Sequence, residues 1–208
     1  MSNSKSYFNN VAPRWDTMRK GFFSEAVREK AFSVAGGCVG ELAADIGAGS
    51  GFITEGLIQK GIQVIAVDQS AAMLEVMKKK FAAHPGIQYR LGVAETLPIG
   101  DNAVDYVFAN MYLHHVETPA AAIQEMSRIL KLGGKLVITD LDDHDYTFLK
   151  DEHCDRWPGF ERPDVQQWLT EAGLNNVSVS CAGEDCCTRS TCGAVLAKIS
   201  IFLASGVK

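Results

Sequence analysis

Residues 44–52, ADIGAGSGF, place a carboxylate just before a glycine pattern. Asp45 is followed by Gly47, Gly49 and Gly51, at every second position. Glycine permits unusual backbone torsions and lets a ligand approach the main chain closely. A carboxylate at the start of such a loop repels phosphate and attracts a cation or an amino group. The pattern therefore predicts a binding loop for a ligand that carries positive charge.

Two common nucleotide-binding loops do not fit this stretch. A nucleoside triphosphate loop requires Gly-Lys-Ser or Gly-Lys-Thr, whereas this chain has Gly51-Phe52. A dinucleotide fingerprint has the spacing G-x-G-x-x-G, and Phe52 stands where its third glycine would fall. The spacing therefore disfavours a dinucleotide oxidoreductase.

A second acid, Asp68, ends the apolar run QVIAVD at residues 63–68. A carboxylate at the end of the second strand of an α/β sheet suits both hydroxyls of a ribose. Taken alone, Asp68 could be a helix cap and the glycines a tight turn. Together they predict a ligand with a ribose, a positive charge and no phosphate, which fits S-adenosylmethionine.

The elements around these residues alternate between strand and helix patterns. Apolar runs predict strands at residues 41–47, 63–68, 87–93, 103–110 and 135–141, and helical spacing predicts helices at 52–61, 70–84 and 118–134. Such alternation predicts an α/β fold of the Rossmann-like kind, a mostly parallel sheet with helices on both faces. Ligands of such sheets lie beyond the carboxyl ends of the strands, where Asp45 and Asp68 fall.

The two ends of the chain depart from this alternation. Residues 162–173 predict a helix, and 176–183 and 194–205 predict two antiparallel strands joined by a cysteine-rich loop. Residues 144–160 fit no single element. Residues 1–35 predict one or two helices that fold over the domain as a lid, with residues 36–208 as the main domain.

Several motifs resemble, in order, those of class I S-adenosylmethionine-dependent methyltransferases. ADIGAGSG resembles their D/E-x-G-x-G-x-G motif, and AVDQS their acidic second motif. GVAETLPIGDNAVDYVFANMYLHHV and EMSRILKLGGKLVITD resemble the motifs that follow, so the resemblance covers residues 41–140. The opening YFNNVAPRWD is similar to the subgroup that includes the ubiquinone and menaquinone biosynthesis methyltransferases.

The resemblance implies an enzyme with a seven-stranded sheet whose last strand is antiparallel. It also implies a set of S-adenosylmethionine contacts. Asp45 and Gly47 would lie near the methionine part, and Gly49 and Gly51 would allow close approach. The remaining implied contacts are Asp68 at the ribose, Gln69, Ala94 and Glu95 around the adenine, and Asn110 near the methyl donor.

Methyl transfer from a sulfonium needs a base only when the acceptor must lose a proton. His114 and His115 follow the fourth strand, and His144 follows the fifth, so we take His114 and His144 as candidate bases. The alternative is that they are packed polar residues. Tyr7 and Trp15 could cover the acceptor or simply anchor the N-terminal helix.

The chain has six cysteines, four of them within residues 181–192. The spacing C-x₄-C-C-x₄-C of Cys181, Cys186, Cys187 and Cys192 matches no common zinc pattern, so we predict no metal site. We expect reduced thiols in a hairpin. The alternative is a soft-ligand site, because thiolates favour soft metals and metalloids, and the enzyme would then methylate arsenite or a thiol.

Composition limits the partners. The chain has 208 residues, and 20 basic against 25 acidic residues give a net charge of −5, which disfavours nucleic-acid binding. The first residues are polar, and no apolar run reaches the length of a membrane span. We therefore expect a soluble cytoplasmic protein with a small-molecule acceptor and no membrane insertion. A non-catalytic S-adenosylmethionine-binding protein is a further alternative.

Overall fold

The computed structural model describes residues 4–37 and 39–208, which form a seven-stranded sheet flanked by helices. The strand order is β3-β2-β1-β4-β5-β7-β6. The strands are β1 Leu42–Ile46, β2 Gln63–Asp68, β3 Ile87–Leu91, β4 Val104–Asn110, β5 Leu130–Leu141, β6 Asn175–Arg189 and β7 Leu196–Val207. Strands β1 to β5 pair in parallel, and β7 runs antiparallel to β5 and β6. The predicted Rossmann-like fold is confirmed.

Helices cover both faces of the sheet. They are α1 Ser4–Val11, α2 Trp15–Arg19, α3 Glu25–Ala35, α4 Phe52–Gln59, α5 Ala71–Lys80, α6 Pro119–Ile129, α7 Phe148–Glu152 and α8 Arg162–Glu171, with short 3-10 turns at Ala12–Arg14 and Leu113–His115. No helix among the described residues combines the length and the apolar character needed to cross a membrane.

The central strands are apolar on both faces because each face meets helices. Ala43 packs into a core that includes Val27 and Phe32 of α3, whereas Ala44 packs into a core with Ile123 of α6 and Leu169 of α8. This double burial explains the continuous apolar runs of β1 and β2. The parallel register sets Asp45 beside Ala66, so the carboxyl ends of the strands meet at one edge.

Local signals fix several helix ends. The Ser70 hydroxyl accepts a hydrogen bond from the Met73 N–H at 3.1 Å and so caps the start of α5. The prediction that α6 reaches residue 134 is wrong. The helix ends at Ile129, whose carbonyl accepts the Ala103 N–H at 2.8 Å, and residues 130–134 extend β5 instead.

The predicted cysteine loop is also wrong in its bounds. Strand β6 continues through Cys181, Cys186 and Cys187, and only residues 190–195 link it to β7. Cys186 pairs with Ile199 and Cys187 with Lys198. A register shift between Cys181 and Asp185 absorbs the extra residues, so the strand resumes and buries Cys186.

The N-terminal helices divide into two parts. Val11 and Ala12 pack with Met73 of α5, and Tyr7, Phe8 and Trp15 surround this small cluster. Helix α3 instead contributes to the main core of the sheet. Residues 4–23 therefore lie over the carboxyl edge of the sheet, while α3 is part of the domain body.

Candidate active site

The carboxyl ends of β1, β2 and β4 border the glycine-loop pocket. It encloses about 590 Å³, part of it open to solvent. Most of the predicted cofactor residues line it, namely Asp45, Gly47, Gly49, Asp68, Gln69 and Asn110. Phe8, Trp15 and Phe23 of the N-terminal segment close its other side. The fold therefore gathers predicted cofactor residues that are up to 65 positions apart into one cavity.

Asp68 ties the glycine loop to the end of β2. Its Oδ2 accepts the Gly49 N–H at 2.8 Å, and its Oδ1 accepts the Ser70 N–H at 2.7 Å. Burial raises the pKa of Asp68 to about 6, although these N–H groups act in the opposite direction. A cationic or hydrogen-bonding ligand in the pocket would favour the ionised carboxylate.

Asp45 lies deeper at the end of β1. Its Oδ2 accepts both the N–H and the hydroxyl of Thr54, at 3.0 and 2.7 Å. Burial raises the pKa of Asp45 to about 7. The two hydrogen bonds from Thr54 lower this pKa, and the charge of Asp68 raises it. The two acids thus create a negative site that a positive ligand would stabilise.

The three glycines have positive φ angles of 70°, 55° and 92°. A Cβ atom at Gly47 would lie 2.2 Å from the Tyr112 ring, and one at Gly51 would lie 2.5 Å from Phe81. Glycine is therefore required at these two positions by neighbouring side chains as well as by backbone conformation.

Tyr112 separates the glycine-loop pocket from a second cavity. That cavity is lined by Gln69, Tyr112 and the predicted adenine contact Glu95. Burial, then the charges of Asp68 and Glu95, raise the pKa of Tyr112, and the Ala94 N–H opposes them. The hydroxyl therefore lies near the Ala94 backbone and within the field of the two carboxylates. The structure does not bring Ala94 and Glu95 into the same cavity as Asp45.

An aromatic pocket of about 480 Å³ adjoins the glycine-loop pocket. Its apolar lining is Tyr7, Phe8, Trp15, Phe22, Phe23, Met111, Leu141 and Leu149. Its polar lining is His114, His115, His153, Asp155, Cys186 and Thr188. Phe8, Trp15, Phe23, Met111 and His115 line both pockets, so the two cavities meet there.

His114 is held by a fully buried carboxylate. Asp140 Oδ1 lies 2.6 Å from His114 Nδ1, and Asp140 Oδ2 accepts the Tyr112 and Leu113 N–H groups at 3.0 and 2.7 Å. Burial lowers the pKa of His114, but the charges of Asp140 and Asp155 outweigh it and raise the pKa to about 9. These two carboxylates favour the protonated form of His114, which makes it poorly suited to act as a base.

Of the two adjacent histidines, His115 is the neutral one. Burial, then the nearby His114, lower its pKa well below the usual value. Its Nδ1 is buried and has no hydrogen-bond partner among the described residues. Asp155 Oδ1 lies 3.9 Å from that Nδ1 and 3.9 Å from His114 Nε2.

His144, the other predicted base, lies elsewhere. It lines a separate cavity with Asp145, Tyr146 and Trp157, outside both pockets described above. Its Nδ1 accepts the Tyr146 N–H at 3.2 Å. The structure therefore does not bring His144 and His114 together on one pocket.

The cysteines are spread along β6 and the turn that follows. Cys186 lines the aromatic pocket, and burial raises the pKa of its thiol to about 12. Cys181 and Cys192 are exposed, and Cys187 is half-buried. Cys38 lies outside the described residues. Within residues 4–37 and 39–208, no group of three potential metal ligands includes a cysteine.

Comparison with known proteins decides the family. A model of the methyltransferase domain matches residues 44–138. The demethylmenaquinone methyltransferase of Renibacterium salmoninarum is 33% identical over 203 residues, which cover 82% of this chain and 83% of that protein. The chain belongs to the S-adenosylmethionine-dependent methyltransferases. This confirms the predicted family, the enzymatic activity and the S-adenosylmethionine cofactor.

Solved structures agree on the fold. The Haloferax volcanii protein in complex with the Trm112 methyltransferase activator superposes with a TM-score of 0.78, at 18% identity and 96% coverage of both chains. Phosphoethanolamine N-methyltransferase 2 of Haemonchus contortus, with phosphomonomethylethanolamine and S-adenosylhomocysteine, gives 0.70 at 17% identity, covering 87% of this chain and 52% of that one.

The pocket of this methyltransferase fits its cofactor chemically. The carboxylates of Asp45 and Asp68 suit an ammonium or sulfonium group and ribose hydroxyls, and the glycine loop offers backbone at close range. S-adenosylmethionine, when bound, supplies the activated methyl group.

The sequence patterns do not predict several residues of the methyltransferase site, among them Asp140, Tyr112 and Asp155. Asp140 could have been found, because it is a third acid at the end of a strand at the same edge. Tyr112 and Asp155 carry no comparable signal, since each follows irregular backbone.

We predict that Tyr112→Ala binds S-adenosylmethionine more tightly than the natural protein. The Tyr112 ring fills the space against Gly47 and between the two cavities, so a cofactor that lies on the loop must displace it. We expect a gain of about tenfold, or about 1.4 kcal/mol, by isothermal titration calorimetry.

Tyr112→Phe is the matched control, because it keeps the ring and removes only the hydroxyl. It should bind with nearly natural affinity. Weaker binding by Tyr112→Ala would mean that the ring contacts the bound cofactor instead of obstructing it.

Proposed function

We propose that this methyltransferase methylates a small molecule with an apolar ring system, bound in the aromatic pocket. The observation that carries the proposal is the lining of that pocket, which is mostly aromatic and aliphatic with one polar end at His114, His115 and Asp155. Such a lining favours a flat apolar body with one polar group. The name of the relative from Renibacterium salmoninarum, a demethylmenaquinone methyltransferase, supports an acceptor of this class.

We propose the predicted residues as the S-adenosylmethionine contacts. Asp45 and Gly47 would contact the methionine part, Asp68 the ribose, and Asn110 the region of the methyl group. Gln69, Ala94 and Glu95 would contact the adenine once Tyr112 has moved. The supporting observation is that Asp45, Asp68 and Asn110 line one pocket.

The protein's role in the transfer is chiefly to orient the two molecules. Because the pockets meet at Met111 and His115, an acceptor in one faces a donor in the other. Aligned reactants and excluded water supply much of the catalysis of a displacement. For an acceptor that must lose a proton, His115 is better suited than His114, since it is neutral and its Nδ1 is unpartnered.

The methylation of a metalloid or a thiol at the cysteines has less support. Cys186 is the cysteine that lines the aromatic pocket, and burial holds its thiol protonated. A thiolate, not a thiol, is the soft ligand that such chemistry needs.

An acceptor assay tests the proposal. We expect methyl transfer from labelled S-adenosylmethionine to a hydroxylated naphthalene or reduced quinone, and none to arsenite or a small thiol. The Cys181→Ser/Cys192→Ser variant should keep this activity, because both thiols are exposed. Transfer to arsenite alone, abolished by cysteine substitution, would contradict the proposal.

We also propose that residues 1–23 act as a lid. Tyr7, Phe8 and Trp15 line the pockets, and polar side-chain contacts join the described part of the segment to the domain body, including those of Asp16 with Ser50 and Lys80. Tyr7 Oη lies 3.1 Å from His153 Nδ1, and the Ser70 hydroxyl lies 2.6 Å from Asn9 Oδ1. Both molecules must pass this segment, so its opening would precede binding.

Deletion of residues 1–18 tests the lid. The shortened chain keeps Arg19 and Phe23, which pack with Phe52 of the domain body. We expect a folded protein whose turnover falls at least about tenfold while its melting temperature changes little. Full turnover after the deletion, or failure to fold, would contradict the lid.

A further inference from the structure

His114, His115 and Asp155 form a compact group at the polar end of the aromatic pocket. One potential ligand atom from each lies within 4.8 Å of the others, and all three residues are buried. Their side chains come from the 3-10 turn after β4 and from the irregular segment after α7. The fold therefore unites two imidazoles and a carboxylate that are about 40 residues apart.

The group leaves a ligand atom unused. His115 Nδ1 is buried without a hydrogen-bond partner among the described residues, although His115 is only 7% exposed. It faces Asp155 Oδ1 across 3.9 Å, which is too long for a hydrogen bond. This buried nitrogen has no partner in hydrogen-bond geometry among the described residues, although the Cys154 backbone lies close enough to the ring to act on its pKa.

A further carboxylate, that of Asp140, contacts this group through His114. Asp140 holds His114 Nδ1 at 2.6 Å, which turns the opposite nitrogen, Nε2, towards Asp155. Asp140 is itself fixed by the backbone N–H groups of Tyr112, Leu113 and Leu141. A carboxylate that orients a histidine through its other nitrogen is the usual outer support of a metal-bound imidazole.

We propose that His114 Nε2, His115 Nδ1 and Asp155 bind a divalent transition metal ion of the zinc class. Imidazole and carboxylate ligands suit zinc, and three protein ligands leave an open position. Ligands about 2.1 Å from a tetrahedral ion lie about 3.4 Å apart. The two separations from Asp155 are 3.9 Å and the two histidine nitrogens lie within 4.8 Å of each other, so side-chain rotations must bring all three atoms closer to reach that geometry.

The open position would face the aromatic pocket, which the same three residues line. There the ion would hold an oxygen of the acceptor and favour its deprotonated form, so that His115 would serve as a metal ligand instead of as a base. This consequence rests on the proposed function, whereas the metal site itself does not.

Metal titration tests the site directly. The full chain, treated with a chelator and dialysed, is titrated with cobalt(II) chloride alone and followed by visible absorption, and with zinc sulfate by calorimetry. We expect one ion per chain and a cobalt spectrum without thiolate charge transfer. The Cys181→Ser/Cys192→Ser variant should bind equally, because the exposed thiols take no part.

Two substitutions should remove the site. His115→Ala and Asp155→Asn should each weaken zinc affinity at least about tenfold, whereas His84→Ala, at an exposed histidine, should leave it unchanged. Unchanged affinity in both site variants, absence of binding by the natural chain, or a thiolate signature in its cobalt spectrum would overturn the proposal. The cobalt spectrum decides even if a variant fails to fold. Metal binding is measured without donor or acceptor. A failure to bind metal is therefore distinguishable from a failure of the proposed methyl transfer.

Discussion

The carboxyl edge of the sheet depends on buried carboxylates that accept hydrogen bonds from the loops that follow. Asp45 binds Thr54, Asp68 binds Gly49 and Ser70, and Asp140 binds Tyr112 and Leu113. A buried carboxylate is costly unless it is paired or hydrogen-bonded, so each acid constrains the backbone next to it. These three carboxylates fix the glycine loop, the start of α5 and the turn that carries the two histidines.

The same constraint explains why two pockets meet at this edge. The loops it fixes leave one cavity bordered by the carboxylates of Asp45 and Asp68, and a second, aromatic one whose polar end is formed by His114, His115 and Asp155. Neither cavity is closed by the sheet alone, because aromatic side chains of residues 4–23 form the outer wall of both. The family's chemistry needs such an arrangement, since donor and acceptor must be aligned and shielded from water.

Much of this arrangement follows from local sequence patterns. The alternation of apolar runs predicts a mostly parallel Rossmann-like sheet with helices on both faces, and acids at the ends of apolar runs predict Asp45 and Asp68 as site residues. The side chains that divide or complete the pockets do not follow from such patterns. The position of the Tyr112 ring depends on the turn held by Asp140, and Asp155 reaches the histidines from a segment with no periodicity, in which Cys154 has a φ of 60°. The bounds of β6 also depended on tertiary context, because burial of Cys186 outweighs the turn signals around Gly183.

The central claim is that this carboxylate-bordered glycine loop selects a positively charged nucleoside that lacks a phosphate. Calorimetric titration of the natural protein with S-adenosylmethionine, S-adenosylhomocysteine and NAD tests it most directly. We expect saturable binding of one S-adenosylmethionine per chain, binding of S-adenosylhomocysteine at the same site, and no binding of NAD. Tight binding of NAD without any signal for S-adenosylmethionine would contradict the account.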